Sequence, residues 1–457
     1  MINKQLLVLI QLSLIAFVGC GQFATKVGIE TDKMKVTLSE KAFLEHAKQG
    51  NIIAVDSLLT VGVRPNVKNH KGNTALMLAT QNDNITLVQS LLDKGADVNV
   101  KNNEGITPWI MAAFNGFTEI AKILLEHGAD INAKNEFGNT ALMVAADQKH
   151  SALFKFLLGK GANVNIKDNF GDTVLMSIAG LGHLELFQAI LEYRADVNTQ
   201  NHYGDTALML AACANHTTIS KILLEKGADQ NIKDFDGDTA LMFAAEGGYT
   251  ELVQILLDNG ADLSLKNKDN DTAMMFAVMN DHTRILEILL KNGAKPDAHN
   301  RYGYTPLMLA ASANHTTIAK ILLEKGADPN VKDIDGDTAL IFAARNDYTN
   351  IVETLLEYGA DVNAKNKDGD NALIVAAKMG RASATEFLLG KGADVNAKNN
   401  YGDTALIFAV KNDHIAIVET LLEKGADFSF MNKAGNTAVM LAKRRGNKVI
   451  TRLLDRY

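Results

Sequence analysis

The chain has 457 residues and a formal net charge of −7; 47% of its residues are hydrophobic, 6% are aromatic and five are proline. The negative charge and a sequence pI near 5.9 argue against nucleic acid as a general ligand. Two cysteines exclude a fold held together by several disulfides. The composition favours a continuous core of small and aliphatic residues over one aromatic-rich globular centre.

The first 19 residues have the pattern of an export signal. Lys4 precedes a mostly apolar run from Leu6 to Val18, which is too short to span a bilayer as a helix and fits the apolar region of a signal peptide. Val18-Gly19-Cys20 resembles the lipobox of bacterial lipoproteins, in which cleavage before the Cys lets it carry acyl chains. The resemblance implies a signal peptide over 1–19 and a lipidated tether over 20–38. A plain cleaved signal peptide is the alternative.

Lipid on Cys20 would fix the location of the protein. Each buried acyl methylene contributes about 0.8 kcal/mol, so two or three chains would bind a membrane almost irreversibly. In the lipoproteins that this segment resembles, an Asp after the Cys retains the protein on the inner membrane, and Gly21 therefore favours the outer membrane. The predicted location is the bacterial cell envelope, at the periplasmic face or outer membrane, with a secreted protein as the alternative.

From residue 39 onward the sequence repeats every 33 residues. Each copy after the first opens with Gly, and Asn270 is the one replacement in the series Gly72, Gly105, Gly138, Gly171, Gly204, Gly237, Gly303, Gly336, Gly369, Gly402 and Gly435. Gly and Asn both tolerate positive φ, which predicts a tight turn. Thr follows two residues later, except at Asn371, and both residues are good helix N-caps.

Each copy predicts two short helices. The first ends at Gly, Asn or Asp, with Lys149 as the exception, which favours a left-handed residue at that position. The second carries apolar pairs such as Leu252-Val253 and Leu256-Leu257 at i, i+4 spacing. It stops at Gly, usually followed by Ala-Asp, in every copy but one, where Arg194 replaces the Gly and is predicted to be strained. A constant period of helix pairs predicts a solenoid.

These motifs resemble the ankyrin repeat, most closely at Thr107-Pro108 and Thr305-Pro306-Leu307. The resemblance implies an all-α solenoid of about thirteen helix-turn-helix units with short β-hairpin loops. We expect an N-terminal capping repeat over 39–71, ankyrin repeats over 72–434 and a C-terminal capping repeat over 435–457. Where the family has His after the Leu, this chain has Met or Ile, so apolar packing is expected to replace the family's Thr–His hydrogen bond.

Motifs for catalysis or cofactor binding are absent from the sequence. Six histidines share one repeat position, but equivalent positions lie about 8–10 Å apart in packed helices, too far to share a zinc ion at about 2.0–2.1 Å. They are His150, His183, His216, His282, His315 and His414.

Two groups of loop aspartates imitate the start of a calcium loop but lack its later Gly and Glu. They are Asp234, Asp236 and Asp238 in one copy, and Asp333, Asp335 and Asp337 in another. They are expected to be solvated loop tips.

Residues that vary between copies indicate a binding surface. The residue after the Ala-Ala pair lies on the concave side in the ankyrin family, and it becomes basic towards the C-terminus at Arg345, Lys378 and Lys411, with Lys443 and Arg444 nearby. The residue after the hairpin Gly is acidic in the same copies, at Asp337, Asp370 and Asp403. These eight residues are the candidate contacts for an extended or charged protein partner. A solvated surface with internal ion pairs is the alternative.

The predicted function is a non-catalytic protein–protein interaction scaffold, tethered by lipid to the bacterial envelope and without cofactor, metal or nucleic acid. A secreted, host-directed effector is the first alternative, and acylation of Cys20 separates the two. A thiol- or metal-dependent protein is less favoured. Such a protein would use the loop aspartates or Cys213. We expect Cys213 to be a packing residue at the end of a first helix, and a reactive thiol is the alternative.

Overall fold

The computed structural model describes the backbone of residues 27–457 and the side chains from Val36 onward. The predicted signal peptide, Cys20 and the start of the predicted tether lie outside the described residues. Within the described part, no helix is long and apolar enough to cross a membrane.

The described residues form 26 α-helices and no strands. The helices are α1 (Val27–Lys48), α2 (Ile52–Thr60), α3 (Ala75–Gln81), α4 (Ile85–Asp93), α5 (Pro108–Asn115), α6 (Thr118–Glu126), α7 (Ala141–Asp147), α8 (Ser151–Gly159), α9 (Val174–Leu181), α10 (Leu184–Ile190), α11 (Ala207–Cys213), α12 (Thr217–Glu225), α13 (Ala240–Glu246), α14 (Thr250–Asp258), α15 (Ala273–Met279), α16 (Thr283–Lys291), α17 (Pro306–Ala313), α18 (Thr316–Glu324), α19 (Ala339–Arg345), α20 (Thr349–Glu357), α21 (Ala372–Met379), α22 (Ala382–Gly390), α23 (Ala405–Lys411), α24 (Ile415–Glu423), α25 (Ala438–Arg445) and α26 (Lys448–Arg456). A 3₁₀ turn, Leu191–Tyr193, follows α10.

Consecutive helices pair, and these pairs are the repeats. The odd-numbered helices are the first helices of their repeats; they pack against their own second helices and on first helices of adjacent repeats. This arrangement confirms the solenoid predicted from the 33-residue period. The first pair departs from the others, because α1 begins at Val27 and so includes part of the segment predicted to be a tether.

The chain divides into two compact units. One contains the described residues up to Ser177 together with Gln188–Ala195, and its largest buried side chains include Trp109 and Phe154. The other contains Ile178–Phe187 and Asp196–Tyr457. Its core is a repeated layer of Ala, Leu and Met from the first helices and Leu or Ile from the second helices. In both units the core is continuous along the repeats, as the composition predicted.

The predicted caps account for the helix boundaries. The Thr hydroxyl or Asn amide oxygen accepts a hydrogen bond from the third helical N–H in most first helices, as Thr404 Oγ1 does from Ile407 at 3.3 Å and Asn371 Oδ1 does from Ile374 at 2.9 Å. At Thr272 and Thr338 the buried hydroxyl has no hydrogen-bond partner within the described chain. The prediction of N-caps is therefore confirmed, with two exceptions.

The positions predicted to be left-handed are left-handed. Positive φ occurs at every Gly, Asn and Asp that ends a first helix, and also at Lys149, where φ is 59°. Arg194 has φ 56° and ψ 40°, which confirms that the second helix of its repeat ends in the same conformation as the others do at Gly. A side chain with a Cβ is disfavoured in this region, so Arg194 is strained as predicted.

Most methionines that replace the family's His are core residues, and some also retain a weak polar role, whereas Met440 in the last repeat is 48% exposed. Met209 is 3% exposed, and its sulfur accepts the backbone N–H of Thr206 at 3.4 Å. Met308 does the same for Thr305 at 3.5 Å. Thioether sulfur is a weak acceptor, so at Met209 and Met308 the expected apolar packing is confirmed with a weak hydrogen bond added to it, but at Met440 it is not.

The loops between repeats are tight turns. Two isolated β-bridges, Lys134 with Thr140 and Lys167 with Thr173, are the remnants of the expected β-hairpins in the described chain. Consecutive loops are joined by backbone hydrogen bonds, for example from Lys367 N to Asp335 O at 2.9 Å. These bonds fix a loop against its neighbour and so position the residues beside the hairpin glycines.

Candidate interaction surface

In two repeats the residue after the hairpin Gly lies beside the first-helix residue eight positions later. The guanidinium of Arg345 forms an ion pair with Asp337 Oδ2, and Lys378 Nζ lies 3.6 Å from Asp370 Oδ2. The tight loop returns the chain directly to the helix, whose last turn then passes over the loop residue. In these two repeats the rows of charge predicted from the sequence are therefore brought together as pairs.

The acidic members of the candidate surface lie inside the protein. Asp337, Asp370 and Asp403 are 5%, 3% and 8% exposed. Each carboxylate accepts a hydrogen bond from an Asn side chain of the following repeat, and these bonds run from Asn366 to Asp337 at 2.8 Å, from Asn399 to Asp370 at 2.8 Å and from Asn432 to Asp403 at 2.6 Å. A buried carboxylate requires such partners. The acidic half of the expected partner surface is thus mainly a link between repeats.

The basic members of the candidate surface reach solvent. The side chains of Arg345 and Lys378 are 32% and 40% exposed, although both are paired with aspartates. Lys411, Lys443 and Arg444 are exposed and belong to no ion pair in the described part of the chain. Lys411 Nζ lies 5.8 Å from the ring centre of Phe408. Unneutralised positive charge therefore increases towards the C-terminus.

One repeat of the second unit carries the opposite charge at the same place. Asp238 is followed eight residues later by Glu246, and the charges that act on Asp238 are carboxylates. Burial raises the pKa of Asp238 to about 6, and Asp234, Asp236 and Glu246 contribute to the rise, while the amide of Asn267 opposes it. The same loop-and-helix position thus holds an ion pair near the C-terminus and a repulsive pair at Asp238.

The shared histidine position joins adjacent repeats. The ring Nε2 lies within hydrogen-bond distance of a first-helix carbonyl in the preceding repeat, at 3.0 Å from Phe114 O for His150 and at 2.9 Å from Glu246 O for His282. Arg381 replaces His in one repeat and donates from Nε to Arg345 O at 2.8 Å. In the described chain no three His, Cys, Asp or Glu side chains are grouped as metal ligands.

Three expectations about single residues are wrong, and one of them is Asp337, which was expected at a solvated loop tip but is 5% exposed. Cys213, the last residue of α11, is exposed, so it is not a packing residue. Asp333, which was expected at a solvated loop tip, is buried, and its side chain accepts backbone N–H groups of Asp335 and Asp337 at 2.9 and 2.8 Å. Asp236 is exposed as expected.

A row of exposed apolar side chains at the loop tips was not predicted as functional. In the first unit it contains Phe137 and Phe170, and in the second unit Tyr203, Phe235, Tyr302, Ile334 and Tyr401, all between 40% and 63% exposed. We call these residues the tip row. An aromatic residue close to the hairpin Gly, as in Tyr401-Gly402, was the sequence signal. Its place in a polar loop, away from the apolar positions of the helices, could have identified it.

Models of the ankyrin repeat family match most of the chain. The model described as ankyrin repeats (3 copies) matches residues 43–135, 81–168, 142–234, 175–267, 221–300, 241–333, 296–366 and 330–399, and the model described as ankyrin repeats (many copies) matches residues 383–422. The chain belongs to the ankyrin repeat family. Ankyrin repeats form protein–protein interaction scaffolds, and such proteins are typically non-catalytic.

Among solved structures, this ankyrin repeat chain is similar to the ankyrin repeat domain of Bcl-3, which is described as a unique member of the IkappaB protein family. The two are 32% identical over an alignment that covers 48% of this chain and 99% of that domain, with a TM-score of 0.44. No curated protein matches this chain.

Proposed function

We propose that this ankyrin repeat protein is a lipid-anchored scaffold of the bacterial envelope that holds another protein and performs no catalysis. The observation that carries the proposal is the tip row, because five of its members in the second unit alone leave large apolar side chains in water. Stacking of the repeats gives no reason for that exposure, and exposed aromatic residues are typical of protein-binding surfaces.

The charges beside the loops support the same conclusion. Lys411, Lys443 and Arg444 are exposed in the last turns of their first helices, and they carry positive charge that the described residues do not neutralise. Exposed aromatic side chains together with exposed charge give a protein both apolar area to bury and electrostatic selectivity. The lipid anchor on Cys20 is proposed from the lipobox-like Val18-Gly19-Cys20 alone.

Metabolic labelling with an alkyne fatty acid, followed by membrane fractionation, tests the anchor. Wild-type protein should carry the label and sediment with membranes, whereas Cys20→Ala should lose both. Soluble, unlabelled protein in both cases would remove the anchor from the proposal and would favour a secreted protein.

Crosslinking in the compartment that holds the protein tests the scaffold role. A Tyr302→Ser/Tyr401→Ser variant should lose the crosslinked partner, since it removes two aromatic contacts of the tip row. Ile415→Ser is the matched control, because Ile415 is an exposed apolar residue at the start of the second helix α24, outside the tip row. Equal loss in both variants, or retention in both, would show that the tip row does not bind the partner.

A further inference from the structure

The first helices of the last four repeats present four cations in one register. Arg345, Lys378, Lys411 and Arg444 stand one 33-residue repeat apart, on α19, α21, α23 and α25. These helices pack side by side in that order. Packed helix axes lie about 8–10 Å apart. The four residues, called the basic row, therefore repeat a positive charge at about that interval.

The chain neutralises only half of this row. Arg345 and Lys378 are paired with aspartates. The loop residue in register with Lys411 is Asp403; the two form no ion pair among the described residues, although the carboxylate of Asp403 accepts the same Asn hydrogen bond as the other two aspartates. The loop residue in register with Arg444 is Asn436, an amide without charge. The C-terminal half of the basic row, with Lys443 beside it, therefore attracts a negatively charged ligand.

The spacing of the basic row selects the conformation of such a ligand. A polyproline II helix has three residues per turn and rises about 3.1 Å per residue, so every third side chain lies on one face at intervals of about 9 Å. In a β-strand every second side chain lies on one face, so side chains on that face are about 6.6 Å apart. The polyproline II interval matches the repeat spacing, whereas the strand interval does not.

The surface beside the basic row offers one exposed apolar contact. A cavity of about 370 Å³ lies between the Asp337–Arg345 and Asp370–Lys378 pairs, and its lining is mainly polar. Met379 belongs to that lining and is 46% exposed. A proline ring of a bound segment can pack against an exposed apolar side chain of this kind at low entropic cost.

We propose that the basic row binds a polyproline II segment of a partner protein that carries Glu or Asp at every third residue. The inference rests on the proposed scaffold function and adds the chemistry and spacing of one partner segment. The carboxylates would meet Lys378, Lys411 and Arg444, and a residue between the first two would cover the exposed Met379.

Two fluorescein-labelled peptides of equal composition test the spacing. One has a Glu at every third position among prolines, and the other has the same three Glu residues adjacent in the middle. Fluorescence anisotropy with the full chain should give about tenfold tighter binding of the spaced peptide, which corresponds to about 1.4 kcal/mol. Its affinity should fall as salt is added. Equal affinities, or no binding of the spaced peptide, would overturn the proposal.

A charge-reversed variant tests the site. Lys411→Glu/Arg444→Glu should weaken binding of the spaced peptide by about tenfold or more. Lys325→Glu/Lys424→Glu makes the same change in net charge at the C-caps of the second helices α18 and α24, and it should bind like wild type. Circular dichroism should show unchanged helix content in both variants. Equal weakening in both would mean that net charge, and not the basic row, attracts the peptide.

Other occupants of the basic row give different results. In one alternative, the protein sediments with phosphatidylglycerol vesicles in a way that requires Lys411 and Arg444, and fails to bind the peptide. That result would assign the surface to a membrane. Salt-sensitive dimerisation with the same dependence, again without peptide binding, would assign it to a second copy of the chain. Both results overturn this inference. Crosslinking that still depends on Tyr302 and Tyr401 would leave the scaffold proposal intact.

Discussion

The amide of Asn399 donates a hydrogen bond of 2.8 Å to the carboxylate of Asp370, which belongs to the preceding repeat, and both side chains are buried. Burial raises the pKa of Asp370, whereas Asn399 and the ammonium of Lys378 oppose that shift. This bond therefore allows a charged residue to remain in an interface between repeats.

We expect Asn399→Ala to lower the free energy of unfolding by about 1–3 kcal/mol, because a buried carboxylate loses a hydrogen-bond donor. Urea denaturation monitored by circular dichroism measures the change. Asn350→Ala, at an exposed position of α20, is the control and should change stability by less than about 0.5 kcal/mol. Equal stability of the two variants would contradict the importance of the bond.

Charge reversal in the basic row should affect stability unequally. Lys378→Glu places a second carboxylate beside the buried Asp370 and should destabilise the protein by about 1–2 kcal/mol. Lys411→Glu should have an effect below about 0.5 kcal/mol, since Lys411 is exposed and forms no ion pair among the described residues. Thermal unfolding of both single variants measures the difference. Equal melting temperatures would show that the Lys378–Asp370 pair contributes nothing.

Replacing Arg194 with Gly should relieve backbone strain. Arg194 occupies the left-handed region at φ 56°, so Arg194→Gly should raise the free energy of unfolding by up to about 1 kcal/mol. Gly227→Arg is the reciprocal control: Gly227 has φ 87° and open space where a Cβ would lie, and this change should destabilise by a similar amount. A lower melting temperature for Arg194→Gly would contradict the strain.

The carboxyl of Asp238 should make stability depend on pH. Its pKa is raised from 3.8 to about 6 by burial and neighbouring carboxylates, so the folded state favours the protonated form. The cost of ionisation is absent below the unfolded pKa, develops as the pH rises through about 4–6, and is fully present above about pH 6. Asp238→Asn removes that cost.

We therefore expect Asp238→Asn to stabilise the protein by about 1 kcal/mol near pH 7.5, after allowance for partial exposure, and to have no effect near pH 3.5. Asn267 can still donate its hydrogen bond to the new amide oxygen. Glu386→Gln is the control, because Glu386 is exposed and lies in another repeat, on α22. Urea midpoints at the two pH values provide the measurement. A stabilisation that is equal at both would rule out the raised pKa as its cause.

The 33-residue period allowed most of the fold to be predicted. Gly, Thr and the apolar pairs act through local backbone geometry and helix periodicity, so the helix pairs, the caps and the left-handed residues, including Arg194, could be predicted without tertiary information. The start of α1 at Val27 could not, because the segment before residue 39 has no apolar periodicity.

The candidate surface could be predicted only in part. Variation between copies identified the basic residues from Arg345 to Arg444, and these are at the surface. It also suggested Asp337, Asp370 and Asp403 as partner contacts, but sequence spacing does not reveal that an Asn of the next repeat covers each carboxylate. The exposure of Cys213 and of the tip row was likewise missed, since burial depends on neighbours in space.

The sequence by itself determined the repeat, the helix boundaries and the family, because these depend on residues close together in the chain. The tertiary structure alone decided which charges are neutralised within the protein and which remain available to a partner. Asp370 and Arg444 were both predicted to contact a partner, yet the first is buried against Asn399 and the second reaches solvent. The packing of successive repeats causes that difference.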